Sequence, residues 1–282
     1  MQLGIINSAF QQVGVDTVTG LRHIARVGFD TVDIATEAMG ISKAEVRLVA
    51  RTTAALGLPV VSLPVCALGL VDFNAPVRAF HRRRVQAFLD LAHTWGARNV
   101  LLVLGEYVWQ REVIPAAAQW AWGIEACRRL GDYADRRGLD IALELEPFRL
   151  SLLNRAATMI RFVDECAHPR VRANIDISHL VLSDTGPAEV ARFKGKAIHV
   201  HLSDCDGKVH GDLPPGRGVV KFLPYLQAIK ELNIPGVVSV ELEYSPEPDK
   251  IFAWVEEAYR ESAKLMELAG LRRAKTRRRA GA

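Results

Sequence analysis

Four residues of metal-ligand type stand at the ends of four successive apolar segments in the second half of the chain. They are Glu144, Asp176, His201 and Glu241. Each lies about one strand-and-helix unit from the next, which predicts one ligand on each of four consecutive strands. Three carboxylates brought together would repel one another, and a divalent cation is the natural way to keep them ionised. One imidazole among three carboxylates favours Mn²⁺, with Mg²⁺ or Co²⁺ as alternatives, over a thiolate-rich zinc site.

Two of these carboxylates are followed by a second glutamate on the same face of the strand. Glu146 follows Glu144 by two residues, and Glu243 follows Glu241 in the same way. Side chains alternate across a strand, so both members of each pair point in one direction. From the residues alone, either glutamate of each pair is a candidate ligand.

Eight short apolar runs must position these residues, and they alternate with longer segments of helical period, as in a parallel sheet wrapped by helices. The predicted strands are Leu3–Asn7, Thr31–Ile34, Val60–Leu63, Asn99–Val103, Asp140–Glu146, Arg172–Asp176, Ala197–Leu202 and Val237–Glu243. The predicted helices are Thr17–Val27, Ser42–Leu56, Ala75–Trp95, Ile114–Arg137, Arg155–Cys166, Pro187–Phe193, Lys221–Leu232 and Asp249–Leu268. Polar residues gather after the last four strands, and no GxGxxG follows the first. The pattern therefore favours an α/β fold with a single (β/α)8 TIM barrel over a doubly wound sheet.

The composition is that of an ordinary globular protein, with 282 residues, 49% hydrophobic and 24% charged. No Pro/Gly/Ser linker or charge run divides residues 1–270, which are predicted to form one barrel domain. Residues 271–282 hold six basic residues and no acid, and we expect them to form a disordered tail. Because this tail accounts for the formal charge of +4, the slightly acidic remainder argues against a nucleic-acid partner.

The four cysteines lie far apart and form no CxxC pair. They are Cys66, Cys127, Cys166 and Cys205. This spacing suggests neither a disulfide framework nor a zinc knuckle, and reduced thiols fit a cytoplasmic protein. The N-terminus lacks a basic start followed by a long apolar region, and no apolar stretch approaches the ~20 residues of a membrane span. We therefore expect a cytoplasmic protein without a membrane partner.

Several segments carry a family resemblance. They are Ile141–Glu144, Asn174–His179, His199–Asp204, Pro214–Gly218 and Ser239–Glu241. The Asp-x-x-His and His-x-His-x-x-Asp motifs among them are the most specific. Together they resemble the xylose-isomerase-like TIM barrels, which include sugar phosphate isomerases and epimerases, ketose 3-epimerases, inosose dehydratases and AP endonucleases. The family's spacing on strand five favours Glu144 over Glu146, and the Val-Ser-Val-Glu run favours Glu241 over Glu243.

The resemblance implies roles for individual residues. In family members of the epimerase type, residues matching Glu144, Asp176, His201 and Glu241 bind the metal. The residue matching His179 contacts the substrate in those proteins. Homo-oligomers are common in the family, so the resemblance makes a homo-oligomer plausible here.

The resemblance also implies an activity, that of a divalent-metal-dependent sugar isomerase or epimerase acting on a ketose or related polyol. Two neighbouring substrate oxygens could chelate the metal, which would acidify the C–H between them and stabilise an enediolate. Glu144 and Glu241 would then act as the catalytic base and acid. Return of the proton to the opposite face gives epimerisation, and return to the adjacent carbon gives isomerisation.

Five residues are candidates for substrate binding. His179 would orient a hydroxyl or carbonyl group, and Arg217, between two glycines, could bind an anionic or polar end. Glu146 shares the inward face of its strand with Glu144. Trp109 after strand four and Cys66 after strand three stand where a pocket wall is expected.

Other activities are compatible with the same barrel. The main alternative is a metal-dependent lyase or dehydratase of the inosose-dehydratase or C-glycoside-deglycosidase type, the latter needing a small partner subunit. An AP endonuclease is less favoured, because the predicted third and fourth strands lack the histidines that its metal cluster would require. A non-catalytic sugar-binding barrel is also less favoured, since all four ligand types are present.

Overall fold

Eight parallel strands close into a barrel in chain order, with the last strand paired to the first. The computed structural model describes residues 1–105 and 110–273. Within these residues the strands are β1 Gln2–Ile6, β2 Thr31–Asp33, β3 Val60–Cys66, β4 Asn99–Val103, β5 Asp140–Leu143, β6 Val171–Asp176, β7 Ala197–Leu202 and β8 Val237–Val240. The predicted (β/α)8 TIM barrel is confirmed.

Helices surround the barrel and pack against its outer face. The α-helices of the described residues are α1 Ser8–Gln11, α2 Thr17–Val27, α3 Lys43–Leu56, α4 Ala75–Trp95, α5 Ala116–Asp135, α6 Ala156–Cys166, α7 Ile177–Leu182, α8 Phe222–Glu231 and α9 Ile251–Leu268. Short 3₁₀ helices occupy Leu68–Val71, Pro187–Phe193 and Pro248–Lys250. Within the described ranges, none of the helices has the length and apolar character needed to cross a membrane.

Local sequence sets where the helices begin and end. The Asp16 side chain accepts a hydrogen bond from the Thr19 N–H at 3.0 Å and caps the start of α2. Ser42 caps α3 in the same way, through the Glu45 N–H at 3.1 Å. Gly57 ends α3 with φ +60°, a left-handed conformation that glycine adopts without strain. These caps turn the chain back toward the next strand.

The strands are buried on both faces, which explains their nearly continuous apolar sequence. Inside the barrel the space is narrow: a Cβ atom on Gly4 would lie 2.5 Å from Thr31 Oγ1 and 2.8 Å from Ser239 Oγ. The register places Asp176 of β6 directly opposite His201 of β7. Two residues of the predicted metal site are thereby brought together by strand pairing alone.

Strands β5 and β8 are shorter than predicted. They end at Leu143 and Val240, so that Glu144 and Glu241 are the first residues beyond the sheet. The Glu144 N–H still donates to the β4 carbonyl of Leu102 at 2.9 Å, but the pairing of β5 with β6 stops at Leu143. Because only one neighbouring strand holds this position, the chain can turn here and direct polar groups into the barrel mouth.

Two short α-helices, α1 and α7, were not predicted, and another helix differs in type. Helix α7 starts directly after β6, where the Asp176 side chain accepts a hydrogen bond from the His179 N–H at 3.0 Å. The predicted helix Pro187–Phe193 is a 3₁₀ helix rather than an α-helix. Both segments are short, so their hydrophobic period carries little information about helix type.

The C-terminal part of the described chain contacts the barrel beyond residue 270. Leu271 is 8% exposed, and Arg272 forms an ion pair with Asp30. The remainder of the predicted tail, residues 274–282, lies outside the described residues.

Candidate metal centre and active site

The four predicted metal ligands stand together at the carboxyl end of the barrel. Glu144 follows β5, Asp176 ends β6, His201 lies in β7 and Glu241 follows β8. Parallel strands direct their carboxyl ends to one side of the barrel, which is where barrel enzymes place their active sites. Four consecutive strands therefore each contribute one side chain.

Distances within this cluster are short. His201 Nδ1 lies 2.9 Å from Glu241 Oε2 and 3.7 Å from Glu144 Oε2. One donor atom each from Asp176, His201 and Glu241 lies within 4.8 Å of the others. The structure thus brings together all four residues that the sequence singled out.

Two atoms of the cluster are suited to hold a cation. Asp176 Oδ2 and Glu144 Oε1 are buried and have no hydrogen-bond partner among the described residues. The two residues are 1% and 2% exposed. An unsatisfied buried polar atom costs about 1–3 kcal/mol, and a bound cation removes that cost. The donor chemistry and the unsatisfied atoms together fit a divalent metal.

Neighbouring groups hold the Asp176 carboxylate in place. Its Oδ1 accepts hydrogen bonds from Ser178 Oγ at 2.8 Å and from the His179 N–H at 3.0 Å. These bonds fix one oxygen and leave Oδ2 for a ligand role. Burial opposes ionisation, but the adjacent His179 and His201 lower the pKa of Asp176 below its usual value. The carboxylate is therefore held in its charged form.

Glu144 is oriented by a residue of the next strand. Asn174 Nδ2 donates to Glu144 Oε2 at 2.6 Å, and both residues are buried. Such an outer hydrogen bond fixes the rotamer of a metal ligand. Sequence reasoning did not assign this role to Asn174, although its position two residues before Asp176 places it on the same face.

The other carboxylates of the site resist ionisation. Burial raises the pKa of Glu241 well above its usual value, and the charges of Asp212 and Glu243 add to this effect. Burial likewise raises the pKa of Glu146 to about 8. So many acids in a small volume cannot all be charged without a counter-cation.

The doubled glutamates separate into two groups. Glu144 and Glu241 both approach His201, as described above. Glu146 instead lies with His179 and His210, one donor atom of each within 4.8 Å of the others. For Glu243, burial raises the pKa, and contacts with the side chains of Ser8 and Gln12 oppose the shift. The first glutamate of each pair is therefore the one in the four-residue cluster.

Arg217, a predicted substrate-binding residue, pairs with two glutamates of the C-terminal region. Its guanidinium donates to Glu257 Oε1 and Oε2 at 2.8 and 2.7 Å, and it stacks over Trp254 at 4.4 Å. Glu247 accepts a further hydrogen bond from it at 3.4 Å. The expectation that Arg217 binds an anionic or polar end of the substrate stays a prediction, and these contacts argue against it. They are tertiary contacts, because the partners lie on α9 and just before it.

Of the two residues predicted to form a pocket wall, Cys66 lies within the described part of the structure and Trp109 does not. Cys66 is exposed at the end of β3, and desolvation by the surrounding protein together with Glu146 and Glu243 raises the pKa of its thiol to about 11. Its thiol is therefore protonated at neutral pH. Trp109 lies outside the described residues.

Residues near the cluster that were not predicted include a buried histidine–aspartate pair. His199 Nε2 lies 3.1 Å from Asp33 Oδ2, and the same oxygen is 3.8 Å from His201 Nε2. Asp33 ends β2, so the rule of polar residues at the ends of apolar strands could have found it. His210 and Asp212, on the loop after β7, had no such signal.

Comparison with known proteins identifies the family. Residues 21–268 match the model of the xylose isomerase-like TIM barrel. The chain belongs to this family. The resemblance predicted from the Asp-x-x-His and His-x-His-x-x-Asp motifs is thereby confirmed.

Named relatives of this xylose isomerase-like barrel act on small sugars or polyol ketones according to their names. This chain is 24% identical over 232 residues to D-psicose 3-epimerase of Agrobacterium fabrum, and the match covers 78% of this chain and 77% of the relative. It is 25% identical over 200 residues to inosose isomerase of Bacillus subtilis, covering 67% and 70%. A crystal structure of the IOLI protein with a bound zinc atom superposes with a TM-score of 0.81 at 18% identity, covering 96% and 98%. That superposition supports the fold.

Proposed function

We propose that this barrel is a divalent-metal-dependent sugar isomerase or epimerase, acting by proton transfer on a ketose or related polyol. The observation that carries the proposal is the cluster of Glu144, Asp176, His201 and Glu241, the first three of them buried, at the carboxyl ends of consecutive strands. The unsatisfied carboxylate oxygens of Asp176 and Glu144 support a cation there. The names of the relatives, a 3-epimerase and an inosose isomerase, support a sugar or polyol substrate.

The four clustered side chains would hold the cation. When bound, a divalent cation polarises neighbouring substrate oxygens and stabilises the negative charge that develops as a C–H proton leaves. Three carboxylates with one imidazole favour Mn²⁺, with Mg²⁺ and Co²⁺ as alternatives. Zn²⁺ belongs in the same binding comparison, because the IOLI structure contains it.

Glu144 and Glu241 are the proposed base and acid. They come from β5 and β8 and reach His201 Nδ1 from different strands, at 3.7 and 2.9 Å. Two carboxylates on different sides of a reacting carbon can divide the work, one removing the proton and the other returning it. The face to which the proton returns then decides between an epimer and an isomer.

The proposal is tested by incubating metal-loaded protein in D₂O with a panel of free ketoses, keto-glycosides and inososes. Nuclear magnetic resonance should show deuterium at a carbon next to the carbonyl group, together with an epimeric or isomeric product. The variant Asp249→Asn is matched to the substitution Asp176→Asn in the cluster but lies at an exposed position on the short helix before α9. It should behave as the wild type.

Other outcomes contradict the proposal in distinct ways. Loss of water from an inosose, or cleavage of a C-glycoside, would favour the lyase alternative. Cleavage of an abasic-site duplex would favour a nuclease. Absence of exchange with every compound of the panel would count against proton-transfer chemistry altogether.

A further inference from the structure

Two imidazoles meet beside the metal-ligand cluster, and both nitrogens of one of them are occupied. His179 Nδ1 lies 2.6 Å from the carbonyl oxygen of Leu145, and His179 Nε2 lies 2.8 Å from His210 Nε2. A carbonyl oxygen can only accept, so Nδ1 of His179 carries a hydrogen. The two Nε2 atoms must then share one proton between them. No nitrogen of His179 is left for a substrate.

His210 stands between His179 and solvent. The side chain of His179 is 3% exposed, whereas that of His210 is 16% exposed. The two ring centroids lie 4.8 Å apart. Throughout residues 1–105 and 110–273, Nδ1 of His210 forms no hydrogen bond. This nitrogen is therefore the one of the pair that remains available at the mouth of the site.

The loop that carries His210 is firmly built. Asp204 accepts hydrogen bonds at 2.9 Å from the backbone N–H groups of Gly216 and Gly218, and it pairs with Leu213 in a short antiparallel bridge. A Cβ atom at position 218 would lie 2.1 Å from a backbone oxygen, so only glycine fits there. The position of His210 is thus set by the loop itself rather than by its contact with His179 alone.

Aromatic rings flank His210. Its ring centroid lies 5.6 Å from that of Phe148 and 6.0 Å from that of Tyr244. Burial, together with the neighbouring His179, lowers the pKa of His210 to about 4. The ring is therefore neutral at pH 7 and can either donate or accept a hydrogen bond. Binding sites for small polar ligands combine such apolar walls with a few directed polar atoms.

We propose that His210 binds the substrate through Nδ1, and that His179 is a positioning residue that orients His210 from behind. The inference rests on the proposed sugar chemistry of the site and names the residue that meets a substrate hydroxyl or carbonyl group. The substrate contact that the family resemblance implies for His179 is assigned instead to His210, the next imidazole toward solvent. The Phe148 and Tyr244 rings then flank the bound molecule.

The test uses three substitutions that preserve different parts of the ring. In His210→Asn the side-chain amide lies near the position of Nδ1, in His210→Gln near that of Nε2, and His210→Phe keeps only the ring shape. The kcat/KM for the best ketose of the panel should fall about tenfold in the Gln and Phe variants, chiefly through KM, and less in the Asn variant. Val209→Ala, at an exposed neighbouring position, is the control and should retain wild-type values.

Calorimetric titration with the same ketose, and metal analysis of every variant, separate the possible failures. Wild-type activity in His210→Gln with loss in His210→Asn would overturn the assignment, because the role would then lie in the bond to His179. A second metal equivalent that disappears in His210→Phe would also overturn it, since Glu146, His179 and His210 would then be ligands. Ketose binding without deuterium exchange would contradict only the proposed reaction, and absence of binding by the wild type would contradict both.

Discussion

The substitution Asp176→Asn separates the proposed metal role of Asp176 from its structural role. Its Oδ1 caps helix α7 by accepting from the His179 N–H at 3.0 Å, whereas Oδ2 has no partner among the described residues. Asparagine is about as good a helix cap as aspartate, and its amide oxygen can take over the Oδ1 bonds. The variant therefore keeps the fold and loses one negative ligand oxygen.

The expected effect follows from known losses at metal sites. Removing a group that merely orients a ligand weakens metal binding about 10–100-fold, so removing the ligand oxygen itself should weaken it at least about 100-fold. At a cation concentration of about 100 times the wild-type Kd, binding stabilises the wild type by about 2.7 kcal/mol and the variant by about 0.4 kcal/mol. The difference of about 2.3 kcal/mol corresponds to about 5 °C in Tm for a chain of this size.

Differential scanning calorimetry with and without Mn²⁺ measures this difference. The wild type and the surface variant Asp249→Asn should gain about 5 °C more than Asp176→Asn on addition of metal. Without metal, the three proteins should melt within about 2 °C of one another, since the cap is preserved. An equal metal-dependent rise in all three would show that Asp176 is not a ligand and would refute the proposed site.

Three further predictions follow from individual contacts. Asn174→Ala removes the 2.6 Å bond to Glu144 Oε2 and should weaken metal binding about 10–100-fold in an isothermal titration. Burial and the charge of Asp176 raise the pKa of Asp212 to about 7. The folded state therefore holds a proton that the unfolded chain releases from about pH 4 upward, and stability falls as the pH rises from about 4 to 7. Asp212→Asn should reduce the pH dependence of the free energy of unfolding, measured by urea titrations, and should stabilise the protein at pH 7 by an amount on the order of 1 kcal/mol. A pH dependence equal to that of the wild type would contradict the raised pKa of Asp212. Arg217→Ala removes a partly exposed pair with Glu257 and should cost at most about 1 kcal/mol of stability, leaving kcat/KM within about twofold; a large loss of activity would return Arg217 to the substrate site.

Much of the barrel could be predicted because its strands are buried on both faces. Apolar runs such as Ala197–Leu202 and Asn99–Val103 coincide with the observed strands, and the long helix Ala75–Trp95 does as well. Helix α7 was missed because it spans only Ile177–Leu182 and begins at a residue already interpreted as a ligand. Local periodicity needs several turns to identify a helix, and this segment has fewer than two.

The proximity of the predicted metal ligands could be inferred because strand order alone brings them together. Asp176 and His201 are paired residues of adjacent strands, so their proximity needed no knowledge of loops. The position of Arg217 depends instead on Glu257, which is remote in the sequence. The contact of His210 with His179 depends on how the loop after β7 folds around Asp204. Neither follows from a local pattern.

The Asp204–Leu213 bridge has a consequence for how such a barrel can change its preferences. It closes residues 205–212 into an insert whose ends, Asp204 and Leu213, are joined by two backbone hydrogen bonds of 2.8 and 2.9 Å. Residues within the insert can be exchanged while the bridge and the strand below it stay as they are. A library randomised at positions 207–211 would vary the residues at the mouth of the site, His210 among them, and leave the four predicted metal ligands unchanged. Divergence and directed evolution could therefore begin at this loop, where a change at His210 would alter its contact with His179 but not the strands that carry the predicted metal ligands.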